Sequence, residues 1–202
     1  MSDINWKFSK KFGTHWIKVK FYSQEPDIKK DEPKRNIRFC EATKEAITEP
    51  IFLDQKSLNC KGALYAFGWN TDYKDDFLDR CQEKRRIQAD VLESLFFKVP
   101  RLKRSFKYIG LNTEGSSDIL ISYMQPEKVM RLLKIYYNYY GKELFFSSSN
   151  MMAICGGIAV KTYLENKINI SFGCDDSRKY ANMGRDKIAV GIPKKLFKVF
   201  VN

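Results

Sequence analysis

Through the second half of the chain, short apolar runs keep giving way to helical segments. Strand candidates at Ser105 to Leu111, Asp118 to Tyr123, Leu144 to Ser147, Ile168 to Phe172 and Lys187 to Gly191 are separated by helix candidates. The helices are placed at Pro126 to Tyr140, Met151 to Leu164, Asp175 to Met183 and Pro193 to Phe200, at or beside the Pro, Asn or Asp residues that suit a helix start. Such alternation predicts an α/β or α+β fold, a mixed sheet covered by helices. In 202 residues, no linker is long or flexible enough to split the chain. One compact domain over residues 1–202 is therefore expected, burying roughly 70% of its unfolded surface.

The first half gives fewer signals. Trp16 to Phe21 alternates with period two and reads as a strand. Gln24 to Asn36 is a charged, proline-containing loop. Cys40 to Ile47 reads as a short helix, Pro50 to Leu53 as a strand, Cys60 to Gly68 as a helix, and Asp75 to Lys98 as a helix stopped by Pro100. The segment from Pro126 is apolar around most of its circumference, which predicts a buried crossover helix.

Several chemistries are excluded at once. The chain has a single histidine, His15, whereas an H-E-x-x-H zinc protease or a two-His-one-carboxylate iron site needs two. A hydrolytic triad would have to use His15, which sits at a strand entry and is better read as packed or solvated. The longest apolar run, Met151 to Val160, falls well short of a membrane span. Met1 to Lys7 lacks the build of a secretory signal, so a cytoplasmic chain is expected. The formal charge of +12 favours anionic partners. Its basic groups, Lys29-Lys30, Lys34-Arg35, Lys84 to Arg86, Arg101 with Lys103-Arg104, and Lys194-Lys195, are scattered among acids and carry no RNA-binding signature. A solvated surface is the preferred reading over a nucleic-acid interface.

Five cysteines without an export signal read as thiols or metal ligands rather than disulfides. Four fall into two similar contexts: Cys40 and Cys60 are 20 residues apart, Cys155 and Cys174 are 19 apart. In each pair the first cysteine lies in a small-residue helix, a strand follows, and the second begins another helix. This is the mark of a weak internal duplication, whose symmetry would bring four thiols together. Dipoles at helix starts favour thiolates, and Gly62, Gly156, Gly157 and Gly173 would let backbone N–H groups approach them. Thiolate sets select zinc or iron–sulfur clusters. The C-x₂-C pairs of most such sites are absent, so on spacing alone four buried structural cysteines are the preferred reading. Cys81, among charges, fits no pattern. Arg178, four residues after Cys174, would balance a cluster's charge or grip a carboxylate, or would form an ordinary ion pair. Asp175 and Asp176 are explained as first-turn acids of a helix.

Phe39-Cys40-x-Ala42, Asn59-Cys60-Lys61-Gly62-Ala63 with Gly68, Ala153-Ile154-Cys155, Ser171-x-Gly173-Cys174-x-x-Ser177-Arg178 and Val190-Gly191-Ile192-Pro193 stand in this order along the chain. The set resembles the landmarks of the domain of unknown function 169 family, also called the archaeal conserved region family, from about Trp16 to Phe200. Asp118 to Leu120 and Gln125-Pro126 with Met130-Arg131 are similar to its central segment. The resemblance implies one compact α/β-type domain found mainly in anaerobic archaea and bacteria, with no activity attached. Cys40, Cys60, Cys155 and Cys174 fall on its landmarks and Cys81 does not, which strengthens the metal reading. The first half carries more lysine than the family pattern, and the loop from Gln24 to Asn36 departs from it.

The expectation is thus a cytoplasmic protein holding a 4Fe–4S cluster on Cys40, Cys60, Cys155 and Cys174, with Gly62, Gly156, Gly173 and Arg178 around it and an unknown redox partner or small anionic ligand. Zinc, or no metal at all in a small-molecule-binding module with structural cysteines, are the alternatives.

Overall fold

The computed structural model describes residues 4–26, 35–70, 88–102, 106–181 and 183–201. Its frame is an open six-stranded sheet of β1 (Ile17–Tyr22), β2 (Ile51–Asp54), β3 (Tyr108–Leu111), β4 (Ile119–Met124), β5 (Asn169–Ser171) and β6 (Ile188–Pro193), in the order β2-β3-β1-β4-β6-β5. Every pairing is antiparallel. The α/β class with a helix-covered sheet stands, and the sheet is antiparallel throughout rather than mixed in direction. Central β4 is buried along its whole length, which is why it reads as a continuous apolar run instead of an alternation.

The register contains a two-fold repeat. Lys18 lies opposite Leu120, flanked by Ile17 opposite Ile121 and Val19 opposite Ile119, so a rotation about the 18–120 pair, normal to the sheet, exchanges β1 with β4. The same rotation exchanges β3 with β6 and β2 with β5. In one half Val19 stands beside Leu111 and Leu111 beside Ile51; in the other, Ile121 stands beside Gly191 and Gly191 beside Asn169. Each half runs from the centre of the sheet to its edge and back to the middle position.

Helices cover both faces. On one lie α2 (Phe39–Glu45), α3 (Lys61–Ala66), α4 (Ala89–Phe97), a π-helix (Ala153–Val160) continuing into α6 (Lys161–Glu165), and α7 (Asp175–Tyr180). They bury Phe39, Phe67, Leu92, Phe96 and Ile158 against Val19, Ile109, Leu111, Ile119 and Ile121. On the other lie α1 (Ile4–Phe12), α5 (Pro126–Tyr140) and, after a 3₁₀ turn, α8 (Phe197–Val201). There Phe8, Phe12, Trp16, Phe197 and Phe200 pack against Leu120, Val190 and Ile192, with Phe8 and Trp16 edge to face at 5.0 Å. Each such side chain, fully buried, contributes roughly 1.5–3 kcal/mol of transfer free energy.

Local sequence sets both ends of α5. Pro126 occupies the first turn of α5, and Gly141, at φ +63°, closes it in the left-handed conformation that suits glycine. Several expectations are corrected. Leu144 to Ser147 forms no strand; it is irregular, with Phe145 largely exposed. α1 was not anticipated; only Phe8 and Phe12 of its nine residues are buried. α5 is amphipathic rather than buried all round: Val129, Leu132 and Tyr136 face the sheet, while Met130 and Tyr139 are exposed. The helix from Met151 is a π-helix over most of its length, and the last helix begins as a 3₁₀ turn. Most of the loop from Gln24 to Asn36, the start of the segment from Asp75, Cys81, and the basic groups Lys29-Lys30, Lys84 to Arg86 and Lys103-Arg104 lie outside the described residues.

Candidate functional site

The four landmark cysteines all sit in the helical layer on one face of the sheet, two from each half. Cys40 lies in the first turn of α2 and Cys155 in the π-helix, and both are buried. Cys60 is the N-cap of α3 and Cys174 the N-cap of α7, and both are partly exposed. The two-fold therefore relates Cys40 to Cys155 and Cys60 to Cys174 in chain position and in exposure alike. Contacts of α2 with α7, α2 with the π-helix and α3 with the π-helix bring these elements together.

The thiols share one electrostatic neighbourhood. Burial pushes Cys40 up to about 12, and the neighbouring Cys174 and Cys60 add to the shift. Burial also raises Cys155 well above an ordinary thiol, reinforced by Cys60, Cys174 and Cys40. Cys60 is raised by burial against the opposing pull of the Ala63 N–H and the Arg38 guanidinium. Three of the four are thus held as neutral thiols, because bringing thiolates together in a low dielectric is costly unless a cation joins them.

Residues that sequence reasoning passed over complete the site. Thr43 Oγ1 donates to the Cys40 carbonyl at 2.7 Å and, at 2.7 Å, accepts from the hydroxyl of Tyr123 on β4. Burial raises Tyr123 above the usual phenol range, against the Thr43 hydrogen bond, and Cys40, Cys174 and Cys155 raise it further. Arg38, beside Cys60 and Cys40, stacks on the Tyr180 ring at 4.4 Å and pairs with Asp176 at 2.8 Å. Met152, in the left-handed region at φ +47°, opens the π-helix; its carbonyl accepts from the Gly156 and Gly157 N–H groups and is reached by Cys155 Sγ at 3.6 Å. π-helices are rare and frequent at functional sites.

The anticipated surrounding residues are placed as follows. Gly62 makes room for Met152: a Cβ there would stand 3.0 Å from Met152 Cγ and 4.0 Å from Cys60 Sγ. At Gly156 a Cβ would come within 2.9 Å of Val99 Cγ1. Gly173, at φ +87°, would carry a Cβ 2.8 Å from both Met183 Sδ and Ser177 Oγ, and its N–H is taken by Ser171 Oγ at 3.1 Å. The N–H groups that act on sulfur belong to Glu41 for Cys40, Ala63 for Cys60 and Gly156 for Cys155. Arg178 ties down a loop, donating to the Phe172 carbonyl at 2.5 Å and to the Gly184 carbonyl. The guanidinium beside the thiols is that of Arg38. Asp176 does more than start α7, since it holds Arg38.

Among the described residues, no group of three His, Cys, Asp or Glu side chains is gathered as a single ion would require. The donor set itself, four thiols with thioethers nearby, is soft and suits thiophilic iron or zinc. Among the described residues no helix is long and apolar enough to cross a membrane. In comparison with known proteins, the model of the domain of unknown function 169 family, described as uncharacterised ArCR, matches residues 11–202. No curated protein and no solved structure matches.

Proposed function

The chain belongs to the domain of unknown function 169 family, which brings no activity with it, and we propose from the site itself that it is a cytoplasmic iron–sulfur protein. In this reading Cys40, Cys60, Cys155 and Cys174 hold a 4Fe–4S cluster. The observation that carries it is the two-fold convergence of four thiols, two from each half, within electrostatic reach of one another. A bound cluster supplies one-electron transfer at a potential tuned by burial and hydrogen bonds to sulfur. The chain supplies the rest. Cys40, Cys60 and Cys155, held neutral by burial, must give up their protons to ligate, so loading releases protons and tightens as pH rises. Glu41, Ala63 and Gly156 present N–H groups to the sulfurs, and Arg38 offsets part of the negative charge. The four described cysteines are free thiols, which suits a reducing compartment.

The test is iron, zinc and acid-labile sulfide content with a visible spectrum, on protein purified without oxygen. About four iron and four sulfide per chain are expected. One zinc would make the site structural. The same burial of the thiols favours a second reading, a metal-free small-molecule-binding module packed around neutral cysteines; absence of metal with native thiols open to titration would replace the first reading with it.

A further inference from the structure

A second site lies at the other end of Tyr123. Where α1 runs into β1, β4 ends and β6 begins, a cavity of about 440 Å³ opens, within the range of small-molecule sites. Its cationic lining is Lys128 and Lys187, both half-buried, with the lone histidine, His15, at the rim. Among the described residues, no carboxylate lines it. The nearest in sequence are Asp186, whose Oδ2 accepts from Gln125 at 3.4 Å, and the exposed Glu127. Lys128 Nζ donates to the Gly13 carbonyl, which fixes the ammonium and leaves two of its three protons for a ligand. Lys187 makes no ion pair among the described residues.

The wall is organised in advance. Ser122, fully buried, donates to the His15 carbonyl at 2.7 Å, and Thr14 Oγ1 lies 3.4 Å from both Ser122 Oγ and the Tyr123 carbonyl. Thr14 and Ser9 bring hydroxyls to the lining, and α5, 15 residues long, begins beside it with its positive end. Two half-buried ammonium groups without a carboxylate among the described lining residues and a helix start favour the same charge. We propose that this cavity binds a compact, doubly charged oxyanion, a phosphate monoester or a dicarboxylate, held by Lys128 and Lys187. Ammonium groups serve both ligand types as point charges, and the +12 field of the chain raises the local concentration of either. Tyr123 is common to both sites: its hydroxyl sits at Thr43 among the thiols, and the residue lines the cavity.

The inference does not rest on the iron–sulfur reading, and its test keeps the two apart. Calorimetric titration of the full chain with inorganic phosphate and with succinate, at constant ionic strength, is expected to show saturable binding of at least one. Phosphate alone assigns the phosphoryl class, succinate alone the carboxylate class, and both assign recognition by charge. Lys187→Gln and Lys128→Gln are each expected to weaken binding by about tenfold or more. Should Lys128→Gln disturb the fold through loss of its bond to Gly13, Lys187→Gln still decides, checked for native circular dichroism. Absence of saturable binding with both probes, or unchanged affinity in Lys187→Gln, would overturn the site. Metal content measured on the same samples shows whether binding follows the cluster or is independent of it.

Discussion

At Thr43 one hydroxyl serves two partners, and its loss and its partner's loss differ in consequence. Tyr123→Phe removes a donor but leaves Thr43 bonded to the Cys40 carbonyl, so a cost of about 1 kcal/mol is expected. Thr43→Val leaves the buried Tyr123 hydroxyl without its acceptor, and the cost should be larger, about 1–3 kcal/mol. Urea unfolding of both variants checks the order, and equal costs would refute the assignment of donors. The thiols make a second prediction, for the metal-free protein. Cys40 rises from about 9 in the unfolded chain to about 12 when folded, so its neutral form contributes stability that is complete below pH 9 and is lost as pH climbs toward 12. Cys155, also raised by burial, acts in the same direction. Each such group adds a slope of up to about 1.4 kcal/mol per pH unit in that window. Unfolding midpoints measured from pH 8 to 11 should fall, and less steeply in Cys40→Ala; a flat profile would show that the thiols are not buried as described. The cysteines were legible in the sequence because residue type and helix-start context are local. Thr43 with Tyr123, and Arg38 with Asp176, meet across 80 and 138 residues, and no local pattern announces such pairs.

Among the elements, the π-helix departs most from what the sequence suggests. Ala153 to Val160 is apolar with a glycine pair, which reads as an ordinary buried helix, since the wider turn has no compositional mark. Its fit depends on β6 below. A Cβ at Gly191 would stand 2.4 Å from Thr162 Oγ1 and 3.0 Å from Ile158 Cγ2, and both neighbours are fully buried. Gly191→Ala is therefore expected to cost about 1–3 kcal/mol by overpacking. Gly157→Ala is the contrast: nothing lies within 4 Å of its Cβ, and the change should be neutral or stabilising by up to about 1 kcal/mol. Denaturation midpoints of the two variants test the packing, and equal effects would mean that β6 and the π-helix are not in this close contact. Elsewhere the strands β1 to β6 and helix α5 were legible to within a few residues, because alternation in β1, short apolar runs in the other strands, and Pro126 and Gly141 at the ends of α5 are local signals. The strand predicted at Leu144 failed even though Ser148 Oγ comes within 3.5 Å of Ser171 Oγ on the edge strand β5: a short apolar run does not by itself specify pairing, and Phe145 and Phe146 lie exposed instead. Helix α1 escaped notice because its two buried positions, Phe8 and Phe12, are only four residues apart among lysines.

At the scale of the molecule, the two-fold decides how the cysteines must behave. The weak likeness between the contexts of Cys40 with Cys60 and Cys155 with Cys174 is matched by the exchange of β1 with β4, β2 with β5 and β3 with β6. The cysteine spacings of 20 and 19 pointed to a duplication, but not to the strand exchange itself, since the helices and loops between equivalent strands differ in length in the two halves. The symmetry divides the thiols into an inner pair, Cys40 and Cys155, and an outer pair, Cys60 and Cys174. In metal-free protein, brief alkylation followed by peptide mass spectrometry should therefore label the outer pair ahead of the inner pair. Labelling that separates the cysteines by half, 40 with 60 against 155 with 174, would contradict the symmetric site. The same division bears on ligation. If all four thiols bind one cluster, Cys40→Ser, Cys60→Ser, Cys155→Ser and Cys174→Ser should each lose most of the iron and sulfide, since a position emptied in either half opens the same centre to solvent. Cys81→Ser, at the one cysteine off the family landmarks, should keep its full content. Iron retained in any of the four removes that cysteine from the ligand set. Because the two-fold makes its counterpart equivalent, retention by both members of one pair would leave only two thiolates, too few for a cluster held by four, and would return the site to neutral packing cysteines.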